Sequence, residues 1–204
     1  MTERESLVET IRERGVRDPR VLDAFAKIDR AAFTSDDDPY ANRPLPIGHG
    51  QTISQPLVVA LTAEALQLRG DEHVLDVGTG SGYAAAILSK LAREVDTIER
   101  IPELCASATI ALAPYANVHV HQGDGSLGFP SAAPYDAIAV GASPRDAPPA
   151  LLEQLAIGGR LVIPIGDDRM QLLVRITRTA DGYERHAITP VHFVPLIGAQ
   201  GWDR

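Results

Sequence analysis

Three glycines at alternate positions mark the stretch of the sequence that is best suited to bind a ligand. Gly78, Gly80 and Gly82 lie in VLDVGTGSGY, between a short apolar run and a helical run. Glycine at a strand-to-helix turn lets backbone N–H groups approach a ligand at the start of the helix. The spacing is G-x-G-x-G, unlike the G-x-G-x-x-G of dinucleotide-binding turns, and no Gly-Lys-Ser/Thr follows, so it is not a P-loop. A tight turn without a ligand remains the alternative for the glycines alone.

Two acidic residues favour the ligand-binding interpretation. Glu99 ends the next predicted strand, about 20 residues on, where a carboxylate can accept hydrogen bonds from both hydroxyls of a ribose. Asp124 follows the third strand, in the tripeptide GDG, and is placed to face an adenine amino group. The carboxyl ends of successive parallel strands share one edge of a sheet. No Lys or Arg near the glycine loop would neutralise a phosphate, so we predict S-adenosylmethionine as the cofactor, with NAD(H) as the main competitor.

The predicted cofactor contacts lie at the ends of these three strands. They are Asp76, Gly78, Gly80, Glu99, Asp124 and Gly125.

Composition limits the class of protein. The 204 residues carry a formal net charge of −8, and 45% of them are hydrophobic, which is typical of a soluble globular domain. Without a Lys/Arg-rich block we expect no nucleic-acid partner. No apolar run approaches the ~20 residues that span a bilayer, and the charged N-terminus does not resemble a signal peptide. Cys105 is the only cysteine, which fits a reducing compartment, so we expect a cytoplasmic protein without membrane contacts.

The order of predicted elements indicates an α/β fold. Beyond Gly70, short apolar strands alternate with amphipathic helices, as in a parallel sheet covered on both faces. Near the C-terminus, QLLVRITRT and YERHAITPVHFV flank the turn dipeptide Asp181-Gly182 and predict an antiparallel hairpin. We expect one domain over residues 1–204, in which 1–69 form N-terminal helices and a binding loop and 70–204 form the sheet and the hairpin.

A long loop precedes the glycine motif. Thr2 and Glu5 have the spacing of a capping box, and Asp18-Pro19 opens a second predicted helix. Periodicity then disappears from Phe33 to Ser54, over more than ~15 residues, which is long enough to suggest a function. A helix follows from about Pro56 to Gln67.

Ser54 allows several interpretations. It lies just before a helix, where an N-cap belongs, and it could equally contact a ligand. No G-x-S-x-G elbow surrounds it, and no His/Asp pair at a recognisable spacing supports it, so a nucleophilic serine is disfavoured.

Five blocks of the sequence, in order, resemble one known family. They are RPLPIGHGQTISQP, VLDVGTGSGYAAA, GDGSLGFPSAAPYDAIAVGA, LLEQLAIGGRLVIPIG and VHFVPLIG. Together they look like the protein-L-isoaspartate (D-aspartate) O-methyltransferases, over nearly the whole chain. The glycine loop would fit any class I methyltransferase, whereas the GQTISQP and VPL blocks single out this family.

The resemblance implies a fold, a reaction and site residues. The fold would be the class I S-adenosylmethionine-dependent methyltransferase sheet, Rossmann-like, with seven mostly parallel strands, a C-terminal antiparallel hairpin and N-terminal helices over the cofactor edge. The reaction would methylate the free α-carboxylate of L-isoaspartyl residues in damaged proteins and peptides, and the ester would then close to a succinimide. Ser54 would be the active-site residue, and the loop would also hold the cofactor, through Gln51, Thr52, Ile53 and Ser54.

The substrate side is less specific. Val194, Pro195 and Leu196 of the VPL block are expected to face the substrate, as are Ser54 and His49 of the loop. The family commonly has other residues at the positions of Leu57, His192 and Ile197. A related methyltransferase acting on an aspartate of one dedicated peptide partner therefore stays an alternative, as does a catalytically weak binding module.

Metal binding is not expected. His119 and His121 share one strand face but have no third ligand in view. We also expect a monomer.

Overall fold

The N-terminal and central helices carry the caps that their sequences predict. The computed structural model describes residues 1–203. Within them, six α-helices are present: α1 (Glu3–Glu13), α2 (Pro19–Lys27), α3 (Pro56–Leu66), α4 (Tyr83–Leu88), α5 (Pro102–Leu112) and α6 (Pro149–Glu153). The capping box is confirmed, since the Thr2 hydroxyl accepts from the Glu5 backbone N–H and the Glu5 carboxylate accepts from that of Thr2. Asp18 caps α2 by accepting from the Arg20 backbone at 2.9 Å.

Strands form a small hairpin and one large sheet. The hairpin consists of β1 (Leu45–Gly48) and β2 (Gln51–Ile53). The large sheet consists of β3 (His73–Val77), β4 (Glu94–Glu99), β5 (Val118–Gln122), β6 (Tyr135–Val140), β7 (Leu155–Gly166), β8 (Gln171–Arg178) and β9 (Tyr183–Val191).

The seven-stranded sheet has the predicted architecture. Its order is β5-β4-β3-β6-β7-β8-β9; the first five strands in that order are parallel, and β8 is antiparallel to both of its neighbours. The chain adds β4 and β5 on one side of β3 and then returns to add β6 on the other side. A crevice therefore opens between β3 and β6 at their carboxyl ends, where open α/β sheets bind ligands.

Both faces of the sheet are buried along the central strands β3, β4 and β6, as their apolar sequences predict. Alternate residues of β3 point to opposite sides: Val74 packs in the core formed with α1 to α5, and Leu75 packs in the core formed with α6. Helices α1 and α2 lie against α3 and α4 because their apolar stripes, which include Ile11 and Phe25, are buried there. No helix in residues 1–203 is both long and apolar enough to cross a membrane.

The loop predicted from Phe33 to Ser54 is more regular than its sequence suggests. A 3-10 turn at Arg30–Phe33 leads into it, and its second half is the β1–β2 hairpin. The hairpin turn has two central residues, His49 with φ of 54° and Gly50 with φ of 70°, as a type I′ turn requires. The prediction of an irregular loop was wrong here because strands of four and three residues are too short to show an alternating pattern. This hairpin, rather than α1 or α2, lies over the cofactor edge.

Candidate active site

A cleft at the carboxyl ends of the parallel strands collects most of the predicted site residues. It lies between the glycine loop, the β1–β2 hairpin and the segment after β9. Nine predicted residues line it: Gln51, Thr52, Gly78, Gly80, Glu99, Gly125, Val194, Pro195 and Leu196.

Two glycines of the cleft have little room for a side chain. At Gly80, φ is 53°, and a Cβ atom would lie 3.3 Å from Cδ1 of Ile47 in the hairpin. At Gly125, a Cβ atom would lie 2.6 Å from Cγ1 of Val77, which is closer than carbon atoms approach. Glycine therefore keeps the strand ends open to a ligand and allows the hairpin to close over the loop. These features fit S-adenosylmethionine, which needs close backbone approach.

Glu99 ends β4 beside the glycine loop, as predicted, and it already holds that loop. One carboxylate oxygen accepts from the Gly80 backbone N–H at 2.9 Å, and the other accepts from the Ile101 N–H at 2.9 Å. The residue is only 7% exposed, but it lines the cleft. Each carboxylate oxygen has a second lone pair, so the group can accept two ribose hydroxyls as well.

Asp124 lies behind the cleft wall rather than in it. One carboxylate oxygen accepts from the backbone N–H and hydroxyl of Ser126, at 2.9 and 2.7 Å, and the other accepts from the Ala199 N–H at 2.7 Å. Burial raises the pKa of Asp124, but these hydrogen bonds outweigh it and leave the pKa below its ordinary value. The carboxylate therefore stays ionised and ties the segment after β9 to the strand ends. One lone pair remains for the predicted adenine contact.

Asp76 and Ser54 both line a second, inner pocket. It lies between α3, α4 and the ends of β3 and β6, its surface is mostly apolar, and it shares Gly141 with the cleft. Thr97 donates to Asp76 at 2.7 Å, and the Thr97 and Thr79 hydroxyls are 2.7 Å apart. Burial, with a smaller effect from the charge of Glu99, raises the pKa of Asp76 from 3.8 to about 7. Near neutral pH the Asp76 carboxyl is therefore partly protonated, and a cationic ligand beside it would favour its ionised form.

The Ser54 hydroxyl is free to contact a ligand. Within residues 1–203 it has no hydrogen-bond partner, and it lines the inner pocket. The N-cap interpretation was wrong: Gln55 is the residue that precedes α3, and the Leu57 backbone N–H donates to the side chain of Asn42 at 3.1 Å. A residue from elsewhere in the loop thus supplies the acceptor that Ser54 was expected to supply.

The structure separates the two remaining loop residues from the pockets. Ile53 is buried in the core, and its backbone pairs with Leu45, so any contact with the cofactor would come from its main chain. His49 is exposed at the tip of the hairpin and lines neither the cleft nor the inner pocket.

The VPL segment is fixed against the strand ends. The Ser143 backbone N–H donates to the Val194 carbonyl at 2.8 Å, and the Leu196 N–H donates to the Ser143 carbonyl at 2.9 Å. The indole N–H of Trp202 also donates to that carbonyl, at 2.8 Å, while the Arg145 guanidinium lies 4.2 Å from the indole centroid. This segment lines the cleft together with the glycine loop.

Several lining residues were not predicted. Arg100, Gly141, Ala142 and Ile197 contribute to the cleft, and Phe193 closes the inner pocket. Gly141 and Ala142 directly follow β6, so the rule that strand ends bind ligands would have found them. Among residues 1–203 no cluster of three or more His, Cys, Asp or Glu side chains is arranged to hold a metal. His121 instead pairs with Asp96 at 2.6 Å.

Known proteins share this sequence and fold. Residues 2–201 match the family model of the protein-L-isoaspartate (D-aspartate) O-methyltransferases. The chain is 54% identical to protein-L-isoaspartate O-methyltransferase 1 of Rhodopseudomonas palustris, over 98% of this chain and 85% of the relative. It is 53% identical to protein-L-isoaspartate O-methyltransferase 2 of Marinobacter nauticus, over 93% and 90%.

Solved structures agree. A protein-L-isoaspartate O-methyltransferase superimposes with a TM-score of 0.88 at 28% identity, over 97% of this chain and 67% of that one. A protein of this kind from Plasmodium falciparum, in complex with S-adenosyl-L-homocysteine, gives 0.84 at 28% identity over 97% and 99%. The chain therefore belongs to the protein-L-isoaspartate (D-aspartate) O-methyltransferase family and is an S-adenosylmethionine-dependent carboxyl methyltransferase.

Proposed function

We propose that this protein methylates the free α-carboxylate of L-isoaspartyl residues in damaged proteins and peptides, and that Ser54 orients that carboxylate. The observation that supports this role most directly is the free Ser54 hydroxyl, in a pocket that shares the lining residue Gly141 with the cofactor cleft. The methyl ester would then close to a succinimide, which is the first step in restoring a normal aspartyl bond.

The reaction needs no base from the protein. S-adenosylmethionine, when bound, supplies an electrophilic methyl group. A carboxylate with a pKa near about 3.5 is already ionised at neutral pH and can attack it directly. The protein has to hold the carboxylate in line with the methyl group and exclude water, which is catalysis by proximity. The apolar lining of the inner pocket serves the second requirement, and the Ser54 hydroxyl serves the first.

Each wall of the site would bind a different part of the two reactants. Glu99 would hold the ribose hydroxyls, and Asp76 would face the ammonium group of the cofactor. The other cofactor contacts would come from the hairpin and the strand ends, through Gln51, Thr52, Ile53, Gly78, Gly80, Asp124 and Gly125. The path by which the substrate carboxylate enters would be lined by Val194, Pro195 and Leu196. His49 would contact only those parts of a substrate that lie outside the pockets.

We also infer that the chain works as a single-domain monomer in the cytoplasm. Residues 1–69 and 70–203 share one core, since α3 packs on the sheet through Val59 and Ala63. A single, buried cysteine suits a reducing compartment. The acidic charge and the absence of a Lys/Arg-rich block favour a protein or peptide partner over nucleic acid.

Radiolabelled methyl transfer to a synthetic peptide pair tests the proposed function. One peptide carries L-isoaspartate, and its twin carries normal aspartate in the same sequence. We expect label in base-labile esters of the isoaspartyl peptide only. Label in the normal twin would point to a dedicated aspartyl substrate, and label in neither would indicate a binding module.

A further inference from the structure

Arg30 is a buried cation without an ionic partner. Its side chain is 0% exposed, in the 3-10 turn that follows α2. All four of its hydrogen-bond acceptors are neutral backbone carbonyl oxygens, and within residues 1–203 its Nε atom has no partner at all. Burial lowers the pKa of the guanidinium below its ordinary value. An apolar side chain would fill this space without desolvating a charge, so the charge has to be explained by what it binds.

The four carbonyls belong to the chain that carries Ser54. One terminal nitrogen of Arg30 donates to Pro39 at 2.6 Å and to Ala41 at 3.1 Å. The other donates to Arg43 and to Ser54, both at 3.2 Å. Arg43 lies just before β1, and Ser54 lies just after β2. A single nitrogen therefore joins the entrance and the exit of the hairpin that covers the cofactor cleft.

Arg30 also contacts the element that follows the glycine loop. Its guanidinium carbon lies 5.7 Å from the ring centroid of Tyr83, the first residue of α4. The Tyr83 ring is fixed in turn by Phe25 and Phe33, with centroid distances of 6.0 and 5.7 Å. The planar guanidinium can donate within its plane to several carbonyls while its face lies near an aromatic ring, which an ammonium group cannot reproduce.

We propose that Arg30 is a positioning residue for carboxyl methylation: it holds the backbone of Ser54 and both ends of the hairpin, and thereby places the Ser54 hydroxyl in the inner pocket. The proposal rests on the proposed role of Ser54. It assigns Arg30 no contact with substrate or cofactor, because Arg30 lines neither pocket.

A double-mutant cycle between Arg30 and Ser54 tests the proposal. In the parent, Arg30→Met should lower kcat on an isoaspartyl peptide at least about tenfold, because a small misplacement of a reacting group is expensive. In the Ser54→Ala background the same change should lower kcat less than about twofold, because the hydroxyl that it misplaces is already gone. Equal losses in both backgrounds would overturn the proposal.

Two further measurements separate positioning from general destabilisation. Arg30→Lys keeps the positive charge, but an ammonium group cannot reach all four carbonyls. We therefore expect a folded protein whose loss of kcat is non-additive with Ser54→Ala in the same way. This variant replaces Arg30→Met if Arg30→Met does not fold. Affinity of the S-adenosylhomocysteine-loaded protein for the isoaspartyl peptide should fall in the Arg30 variants and show the same coupling to Ser54→Ala. Additive losses of peptide affinity would count against the proposal.

Arg160, which also pairs with Glu72 at 3.5 Å, offers a control for the loss of hydrogen bonds from an arginine to backbone carbonyls. It also donates to backbone carbonyls, those of Leu66 and Gln67, at 2.7 and 3.0 Å, but at the opposite end of α3. Arg160→Met should lower stability without lowering kcat of the folded protein more than about twofold. If Ser54→Ala alone leaves kcat unchanged while the parent methylates the isoaspartyl peptide, the Ser54 role and the Arg30 proposal both fall and the reaction itself stands.

Discussion

The Asn42 side chain accepts a hydrogen bond from the backbone N–H of Leu57 at 3.1 Å, in the first turn of α3. The two residues are 15 positions apart, and the bond fastens the long loop to the helix that follows it. The Asn42 backbone carbonyl also accepts from the Gln55 side chain at 3.0 Å. The helix end is thus satisfied from a distance, and the Ser54 hydroxyl is left for the pocket.

The first prediction concerns this cap. Asn42→Ala should lower the free energy of unfolding by about 0.5–2 kcal/mol, which is the usual effect of losing a side-chain cap. Asn42→Asp keeps an acceptor oxygen and should restore most of the loss. Urea unfolding of both variants measures the difference, and an Asn42→Ala protein as stable as the parent would show that solvent replaces the cap.

Glu99 should affect both cofactor binding and the stability of the unliganded protein. Hydrogen bonds to a charged group contribute about 1.5–3 kcal/mol, so loss of the ribose contacts in Glu99→Ala should weaken S-adenosylhomocysteine binding roughly ten- to hundredfold. From the sequence alone we would expect an unchanged thermal midpoint. In the structure, however, Glu99 accepts hydrogen bonds from the backbone N–H groups of Gly80 and Ile101. Because Glu99→Ala loses both bonds, we expect the thermal midpoint of the unliganded protein to fall.

Calorimetric titration and thermal melts measure these two effects separately. Glu99→Gln keeps one acceptor oxygen and should be intermediate in both. The exposed Glu103, in the first turn of α5, provides a control in Glu103→Ala, which should change neither. Unchanged affinity in a folded Glu99→Ala protein would rule out the ribose placement.

How far the site can be predicted depends on how local its causes are. The glycine loop and Glu99 follow from the strand-turn-helix pattern together with the rule that parallel strands end at one edge. The role of Arg30 cannot be predicted from the sequence, because arginine is ordinarily exposed and its acceptors here are backbone carbonyls, which every residue carries. The Asn42 cap also depends on a long-range contact that no spacing reveals. The mostly parallel sheet was predictable because βαβ units recur along the chain, but the order of its strands was not predicted.

Asp76 should make both stability and cofactor affinity depend on pH. Its pKa is raised to about 7 in the folded protein, whereas the unfolded chain ionises near 3.8. Between those values the folded state binds more protons, so its stability should fall as pH rises from about 4 to about 7 and then level off. In Asp76→Asn this component should vanish, because asparagine does not titrate.

Cofactor binding should depend on pH in the opposite direction to stability, becoming tighter as pH rises. If the ammonium group of the ligand faces Asp76, binding ionises the carboxyl and releases a proton below about pH 7. Affinity for S-adenosylhomocysteine should then rise about tenfold between pH 6 and pH 8. Titrations in two buffers of different ionisation enthalpy measure the released proton directly. Binding at pH 6 without proton release would show that the ligand's ammonium group lies elsewhere.

The turnover rate itself should not titrate. The nucleophile belongs to the substrate, so kcat with both reactants saturating should be flat from about pH 6 to 8, without an inflection near about 6.5. His49→Asn keeps a residue that tolerates the positive φ of the hairpin turn and should leave kcat within about twofold of the parent. A steep rise in the parent that disappears in His49→Asn would reveal a proton transfer through this residue.

Ser54 provides the decisive variants. Because Asn42 caps α3, removal of the Ser54 hydroxyl leaves no unsatisfied backbone group, and Ser54→Ala should change stability by less than about 0.5 kcal/mol. Glycine adds backbone freedom, so Ser54→Gly should be less stable by about 0.5–1 kcal/mol. Both variants should bind S-adenosylhomocysteine as the parent does and turn over an isoaspartyl peptide at least about tenfold more slowly, because the substrate carboxylate loses the group that holds it in line. Single-turnover methylation at saturating peptide measures the effect on the chemical step apart from product release. A stable Ser54→Ala protein with near-normal single-turnover rates would show that the Ser54 hydroxyl does not orient the substrate carboxylate.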